Sequence, residues 1–218
     1  MTTSFRFTIC AAALSLFGFT AQASADVDDH YEDRDGFRLY GGLGLGFGGE
    51  AEIDYRGPLG LIDVGGSSDL VTSVGGQVGF DIPVIRYLSL GGEARFLSFN
   101  SEALDDNDVD RSKLIDIAFK PRLTFPLRRS PVEFYFTVPV GITFPILADD
   151  FGDGDAIDGE VGWNLGVGAG VNFWLTRRIA LNLEPSYLMH WFDLDLPTGS
   201  GDLALKQFTL FANVVFAL

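Results

Sequence analysis

Val132-Glu-Phe-Tyr-Phe-Thr-Val-Pro-Val-Gly-Ile-Thr-Phe144 alternates from end to end. Val132, Phe134, Phe136, Val138, Val140, Ile142 and Phe144 fall on one face of an extended chain. Glu133, Tyr135, Thr137, Pro139, Gly141 and Thr143 fall on the other. A period of two belongs to a strand, because successive side chains there point to opposite faces. The pattern returns at the end of the chain, where Phe208, Leu210, Ala212, Val214, Phe216 and Leu218 alternate with Gln207, Thr209, Phe211, Asn213, Val215 and Ala217. It returns again where Trp163, Leu165, Val167, Ala169, Val171, Phe173 and Leu175 stand against Asn164, Gly166, Gly168, Gly170 and Asn172.

Alternation by itself also fits a half-buried strand of a soluble sandwich. The second face separates the two readings. A soluble sheet shows Lys, Glu, Thr and Arg to water, whereas this face is mostly Gly, Ser, Asn and Ala with few charges. Small side chains suit a narrow interior. The bulky face finds no opposing sheet, since every segment has the same make-up, and hydrocarbon is its natural surrounding. A sheet in hydrocarbon must close on itself, because an open edge there has no water to bond.

Eight such segments are predicted, at residues 37–48, 70–82, 87–99, 113–126, 131–145, 162–175, 179–192 and 203–218. Their length matches the roughly ten residues that a tilted membrane-spanning strand needs. Short links (83–86, 127–130, 176–178) alternate with longer ones (49–69, 100–112, 146–161, 193–202). The expected fold is therefore all-β: a closed, antiparallel, up-and-down transmembrane β-barrel of eight strands. The short turns carry Arg86, Arg128, Arg129, Arg177 and Arg178, which would lie against anionic headgroups. The long links carry acid: Glu50, Glu52, Asp54, Asp63 and Asp69; Glu102, Asp105, Asp106, Asp108 and Asp110; Asp149, Asp150, Asp153, Asp155, Asp158 and Glu160; Asp193, Asp195 and Asp202. Pro121, Pro139 and Pro185 fall inside predicted strands and each removes a ladder donor. Bulges that flip the facing beyond them are the expected accommodation.

The chain of 218 residues has 30 acidic and 15 basic side chains and a net charge of −15, so nucleic acid is not an expected partner. Residues 1–25 read as a cleaved secretory signal peptide: Arg6, an apolar run from Ile9 to Phe19, and a small-residue site at Ala23-Ser-Ala25. The apolar run is shorter than the ~20 residues of a membrane-spanning helix. Cys10, the only cysteine, would leave with the signal. Residues 26–36 read as an acidic periplasmic arm, and residues 37–218 as the barrel domain.

The Gly-rich first strand Phe37-Arg-Leu-Tyr-Gly-Gly-Leu-Gly-Leu-Gly-Phe47, the alternating strands and the last strand resemble the small eight-stranded outer-membrane barrels, the OmpA-type transmembrane domain with OmpX and OmpW. The resemblance implies a bacterial outer-membrane location reached through a Sec signal. It also implies contact with outer-membrane lipid and lipopolysaccharide, and a last strand read by the barrel-assembly machinery. That strand ends Phe216-Ala-Leu218, with Leu218 where the family has an aromatic residue. A monomer without cofactor is expected.

Parity directs Glu93, Arg95, Asp116, Lys120, Arg122, Glu133 and Glu184 into the lumen. Buried charges of both signs persist when paired. They read either as a plug or as a gate whose ion pairs switch to open a narrow channel for small solutes or ions, and the plug is the reading adopted, since eight strands leave room for little but side chains. Asp150, Asp153, Asp155, Asp158 and Glu160 form a Gly-rich acidic stretch whose oxygens are candidates for weak Ca²⁺ or Mg²⁺ binding. Tyr187-Leu-Met-His190 is similar to the histidine region of the lipid A deacylases, yet the position of their nucleophile is occupied by Phe192. Ser186 lies four residues from His190, about 13 Å at ~3.3 Å per residue. No catalytic residue is therefore assigned. The expected role is structural or surface-interactive.

Overall fold

The computed structural model describes residues 36–56, 63–99, 112–127, 130–146, 158–196 and 199–218. The signal segment and nearly all of the acidic arm lie outside the described residues. The strands are β1 (Arg38–Arg56), β2 (Asp63–Leu70), β3 (Ser73–Ile85), β4 (Leu88–Phe99), β5 (Ser112–Pro126), β6 (Val132–Thr137), β7 (Val140–Ile146), β8 (Asp158–Gly159), β9 (Gly162–Trp174), β10 (Ile179–Leu196) and β11 (Gly199–Ala217). They make eight staves, because β2 continues into β3, β6 into β7 and β8 into β9. The pairings between these strands are antiparallel, and the sequence of partners closes into a ring. β1 bonds to β3, β3 to β4 and β4 to β5. β5 bonds to β6 and β7, and these bond to β9. β9 bonds to β10, β10 to β11, and β11 returns to β1. All-β closure with eight staves is the architecture that the alternating segments predict.

The burial pattern is inverted relative to a water-soluble domain. Leu43 is 76% exposed, Val78 62% and Phe136 59%, while Lys120 and Arg122 are 0% and 2% exposed. In β5 the alternation is complete: Leu114, Asp116, Ala118, Lys120 and Arg122 point inward, and Ile115, Ile117, Phe119 and Leu123 outward. The outer side chains form an apolar belt around the sheet.

The prolines do not produce the expected bulges. Phe119 faces Val140 and Arg122 faces Thr137, one register on both sides of Pro121 and Pro139. The pairings Thr137 with Gly168 and Val140 with Leu165 keep step across Pro139. Leu183 with Val171 and Ser186 with Gly168 do so across Pro185. A proline removes a donor but not an acceptor, and the carbonyls of Pro121 and Pro139 stay bonded to the neighbouring strands. Thr137 Oγ1 donates to the Pro121 carbonyl at 3.0 Å, and the Gly166 amide donates to that of Pro139 at 2.8 Å. The facing of residues beyond each proline is preserved.

A bulge does occur at Gly48, between the pairs Phe47–Phe208 and Glu50–Lys206. Gly48 has φ of +60°, a left-handed value that glycine adopts without a Cβ clash. Below it the even-numbered residues Arg38, Tyr40, Gly44 and Gly46 point inward. Above it Ala51 is inward and Glu50 and Asp54 are outward, so one extra residue reverses the facing of the strand.

Two predicted loops are corrected. Of the link 49–69, residues 49–56 belong to β1 and residues 63–69 to β2. Of the link 193–202, residues 193–196 belong to β10 and residues 199–202 to β11. Glu50, Glu52, Asp54, Asp69, Asp193 and Asp202 therefore stand on sheet that rises past the apolar belt. Gly- and acid-rich sequence reads as loop, but here cross-strand pairing overrides the local preference. Most of the links 100–112 and 146–161 lie outside the described residues.

The candidate functional site is the barrel interior

Two tyrosines organise the middle of the lumen. Tyr40 on β1 faces Gly79 on β3, and Tyr135 on β6 faces Gly170 on β9. Each ring lies across its glycine, in space that a Cβ would occupy. Between them sits the Arg122 guanidinium, 4.1 Å from the Tyr135 ring centre and 5.2 Å from that of Tyr40. Stacking and cation–π attraction favour this placement for Arg. Arg122 pairs with Asp81 on β3, and its other terminal nitrogen is 3.9 Å from Glu184.

Lys120 lies beside this clamp. Its ammonium donates to Glu93 Oε2 and to Glu184 Oε1, both at 2.6 Å. The Tyr40 hydroxyl donates to Glu93 at 3.2 Å, and that of Tyr135 to Glu184. Arg95 pairs with Glu93 and approaches Asp116 at 3.9 Å. Asp116 closes the upper end: it lies 3.0 Å from His190 Nε2 and accepts from Thr143 Oγ1 at 2.7 Å. Asn164 donates to that hydroxyl at 3.0 Å.

A second cluster lies towards the short turns. Arg38 donates to Glu133 at 2.7 Å, and Asn172 donates to the same oxygen at 2.8 Å. Asn182 donates to Asn172 at 2.7 Å and to the Tyr135 hydroxyl at 2.8 Å, which joins the two clusters. Asn213 donates to Asn182, and Gln77 to Asn213, at 2.7 and 3.1 Å. Trp174, Ala180, Val215 and Ala217 pack the bottom of the lumen and join Tyr40 above them. At the other end Leu97, Leu114, Leu188, Leu205 and Phe211 begin an apolar cap that continues to Phe99, Phe192, Leu194 and Leu203.

All seven residues that parity directs inward are buried in this network: Glu93, Arg95, Asp116, Lys120, Arg122, Glu133 and Glu184. Arg38, Asp81 and Tyr40 are absent from the charges read from the sequence, whereas Tyr135, Asn164, Asn172 and Asn213 stand on its inner face without an assigned role. Parity was the available signal, since Arg38 shares a face with Tyr40 and Gly42. His190 is 0% exposed inside the wall. Ser186 points inward on the same strand, with Leu188 between them. Of the acidic stretch offered for cations, Asp150, Asp153 and Asp155 lie outside the described residues, and Glu160 is exposed. Asp158 falls in β8, opposite Asp195. Among the described residues no group of three His, Cys, Asp or Glu is placed to hold a metal ion.

This interior, wrapped by an apolar outer belt, agrees with a match of residues 11–216 to the family model for the outer membrane protein beta-barrel domain. The chain belongs to that family. It is a bacterial outer-membrane β-barrel protein. Among solved structures it is similar to the outer membrane protein OprG from Pseudomonas aeruginosa, with a TM-score of 0.63 and 12% identity over 85% of this chain and 97% of that one. It is also similar to the outer membrane protein AlkL in lipid bilayers, with a TM-score of 0.51 and 14% identity over 85% of this chain and 92% of that one. At such identities the likeness is one of fold. No curated protein matches the chain in sequence.

In this outer-membrane barrel the Asp116 end of the network offers a contained test. Thr143→Val deletes the donor to Asp116 and the acceptor for Asn164 while conserving shape. A loss of about 1–3 kcal/mol is expected, the penalty of stranding buried polar groups. Urea titration in phospholipid vesicles measures it, and Thr143→Ser should behave as the parent. An unchanged midpoint for Thr143→Val would show that water replaces the hydroxyl.

Proposed function

We propose that this barrel is a non-conducting outer-membrane protein whose role is structural and surface-interactive. The interior is a plug, and the acid-bearing strands that rise above the apolar belt are the interacting part. The observation that supports the plug is Lys120, fully buried and held by two carboxylates that are themselves held by tyrosines. A gate would need those bonds to part together, along with the apolar cap above them. Removing one partner of a buried pair is expensive, which argues for a static filling.

Acyl transfer is disfavoured by position. His190 faces Asp116 across the lumen, and the outer wall separates it from any lipid. A base without a reachable nucleophile and substrate supports no covalent step.

Planar-bilayer recording of the refolded chain tests the reading. A silent membrane after verified insertion is the expected result. Discrete, reproducible conductance steps would instead establish the narrow channel and make the ion pairs its gate.

A further inference from the structure

We propose that His190 is a proton switch inside the barrel. With a proton it is the counter-charge of Asp116 and locks the upper end of the lumen; without one it leaves that end with a carboxylate in excess. Matching the buried charges one to one isolates the pair. Arg38 takes Glu133 at 2.7 Å, Lys120 takes Glu184 at 2.6 Å, Arg95 takes Glu93 and Arg122 takes Asp81. Those four cations answer four of the five buried carboxylates among the described residues. The fifth is Asp116. Arg95, already bonded to Glu93, reaches it only at 3.9 Å. Asp116 is 1% exposed, so its charge needs a partner within the protein.

The hydrogen bonds around Asp116 keep it an acceptor. Asn164 donates to Thr143 Oγ1 at 3.0 Å, which turns the Thr143 hydroxyl proton towards Asp116 Oδ1, 2.7 Å away. The other oxygen, Oδ2, lies 3.0 Å from His190 Nε2. A neutral imidazole can fill that place as a donor but brings no charge, whereas an imidazolium brings both. Nδ1 has no hydrogen-bond partner among the described residues, in either state of the ring, so it favours neither.

The surroundings supply His190 with no other charge. Among the described residues, the charged side chains facing it are Asp116 from β5 and, behind it, Arg95 from β4. β7 and β9 bring Thr143 and Asn164, and β11 brings Leu205. The inward positions of β1 and β3 above Tyr40 and Gln77 are glycine and serine. The next inward residues belong to the apolar cap: Leu114 beyond Asp116, Leu97 beyond Arg95, and Leu188 and Phe192 on either side of His190. An unmatched charge is costly in such a setting, and the proton on His190 decides whether there is one. A histidine of the unfolded chain gives up its proton near pH ~6.5. The folded pair keeps it, so above that pH the barrel binds more protons than the unfolded chain and its stability falls as the pH rises. The contribution is whole below that range, and acid surroundings tighten the upper end of the lumen.

The test follows urea unfolding of the refolded chain in zwitterionic phospholipid vesicles between about pH 5.5 and 8.5, the range in which imidazole changes charge. A His30→Ala background leaves His190 as the only histidine. The unfolding equilibrium constant should rise about tenfold or more across this range, one proton being worth at most about tenfold per pH unit. His190→Gln offers a donor to Asp116 but does not titrate, and should flatten the slope whatever it does to stability at a single pH. Asp116→Asn should flatten it as well. A parent that gains stability as the pH rises, or the same slope in the parent and either variant, would overturn the proposal and leave His190 a neutral hydrogen-bond donor. The ¹⁵N spectrum of the histidine-labelled parent needs no change at the site. Two protonated ring nitrogens are expected at about pH 6, and a neutral ring there would equally overturn the switch. The inference rests on the ion-paired interior and not on a silent membrane, which the conductance measurement judges separately.

Discussion

Lys120→Met should destabilise the barrel by about 3–5 kcal/mol, the range found when one partner of a buried ion pair is removed. The reason is the number of groups that depend on one ammonium. Lys120 supplies a donor to Glu93 and to Glu184, both at 2.6 Å. Without it Glu93 keeps Arg95 and Tyr40, and Glu184 keeps Tyr135 and a distant Arg122. Both carboxylates then remain buried with one cation fewer. Among the described residues the lumen holds Arg38, Arg95, Lys120 and Arg122 against Asp81, Glu93, Asp116, Glu133 and Glu184. The change therefore removes one of four cations facing five carboxylates. Urea unfolding in vesicles, read by the loss of the fast-migrating unheated band, gives the number. The triple variant Lys120→Met, Glu93→Gln, Glu184→Gln should regain most of it, because amides carry no charge to strand. A single variant within 1 kcal/mol of the parent, by contrast, would mean that water already solvates these carboxylates.

Gly170→Val should be the second severe change, at about 3 kcal/mol or more from overpacking and lost hydrogen bonds together. A Cβ at residue 170 would fall inside the Tyr135 ring. The ring cannot simply step aside. Its hydroxyl donates to Glu184 and accepts from Asn182, and its face holds Arg122 at 4.1 Å. Displacing it uncouples the two halves of the plug. A double-mutant cycle with Tyr135→Ala separates the overlap from strand propensity. The double variant should be more stable than Gly170→Val alone. Additive losses would show that the valine acts through β9 itself and not through the tyrosine.

The wall of this barrel was readable because period-two alternation is local: Val132 to Phe144 states its facing residue by residue, and the structure preserves it across Pro139. The seven buried charges followed from the same parity. What was not readable depended on partners distant in sequence. The rise of β1 to Arg56 and of β2 from Asp63 is a pairing of two weak strands that support each other. The expected bulges at the prolines do not form because pairing on both sides of each one holds a single register, which only the neighbouring strands of the closed ring impose. The bulge that turns the facing of β1 lies at Gly48, inside a Gly-rich run where no single residue stands out. It decides whether Glu50 and Asp54 face the lumen or the exterior, so a one-residue feature placed the rim carboxylates that the sequence assigned to a loop.

The three register-preserving prolines also bear on the chain before it reaches the membrane. An exported barrel strand is, for a time, an open edge rich in Phe, Val and Ile, the kind of segment that stacks with copies of itself into fibrils. Pro121, Pro139 and Pro185 each delete a donor from the middle of such an edge. In the finished barrel the deletions leave the register intact on both sides of each proline. In a stack of identical strands each proline repeats in every layer, and the missing bond recurs at every step. The same residues that leave the closed wall intact therefore work against self-association in transit.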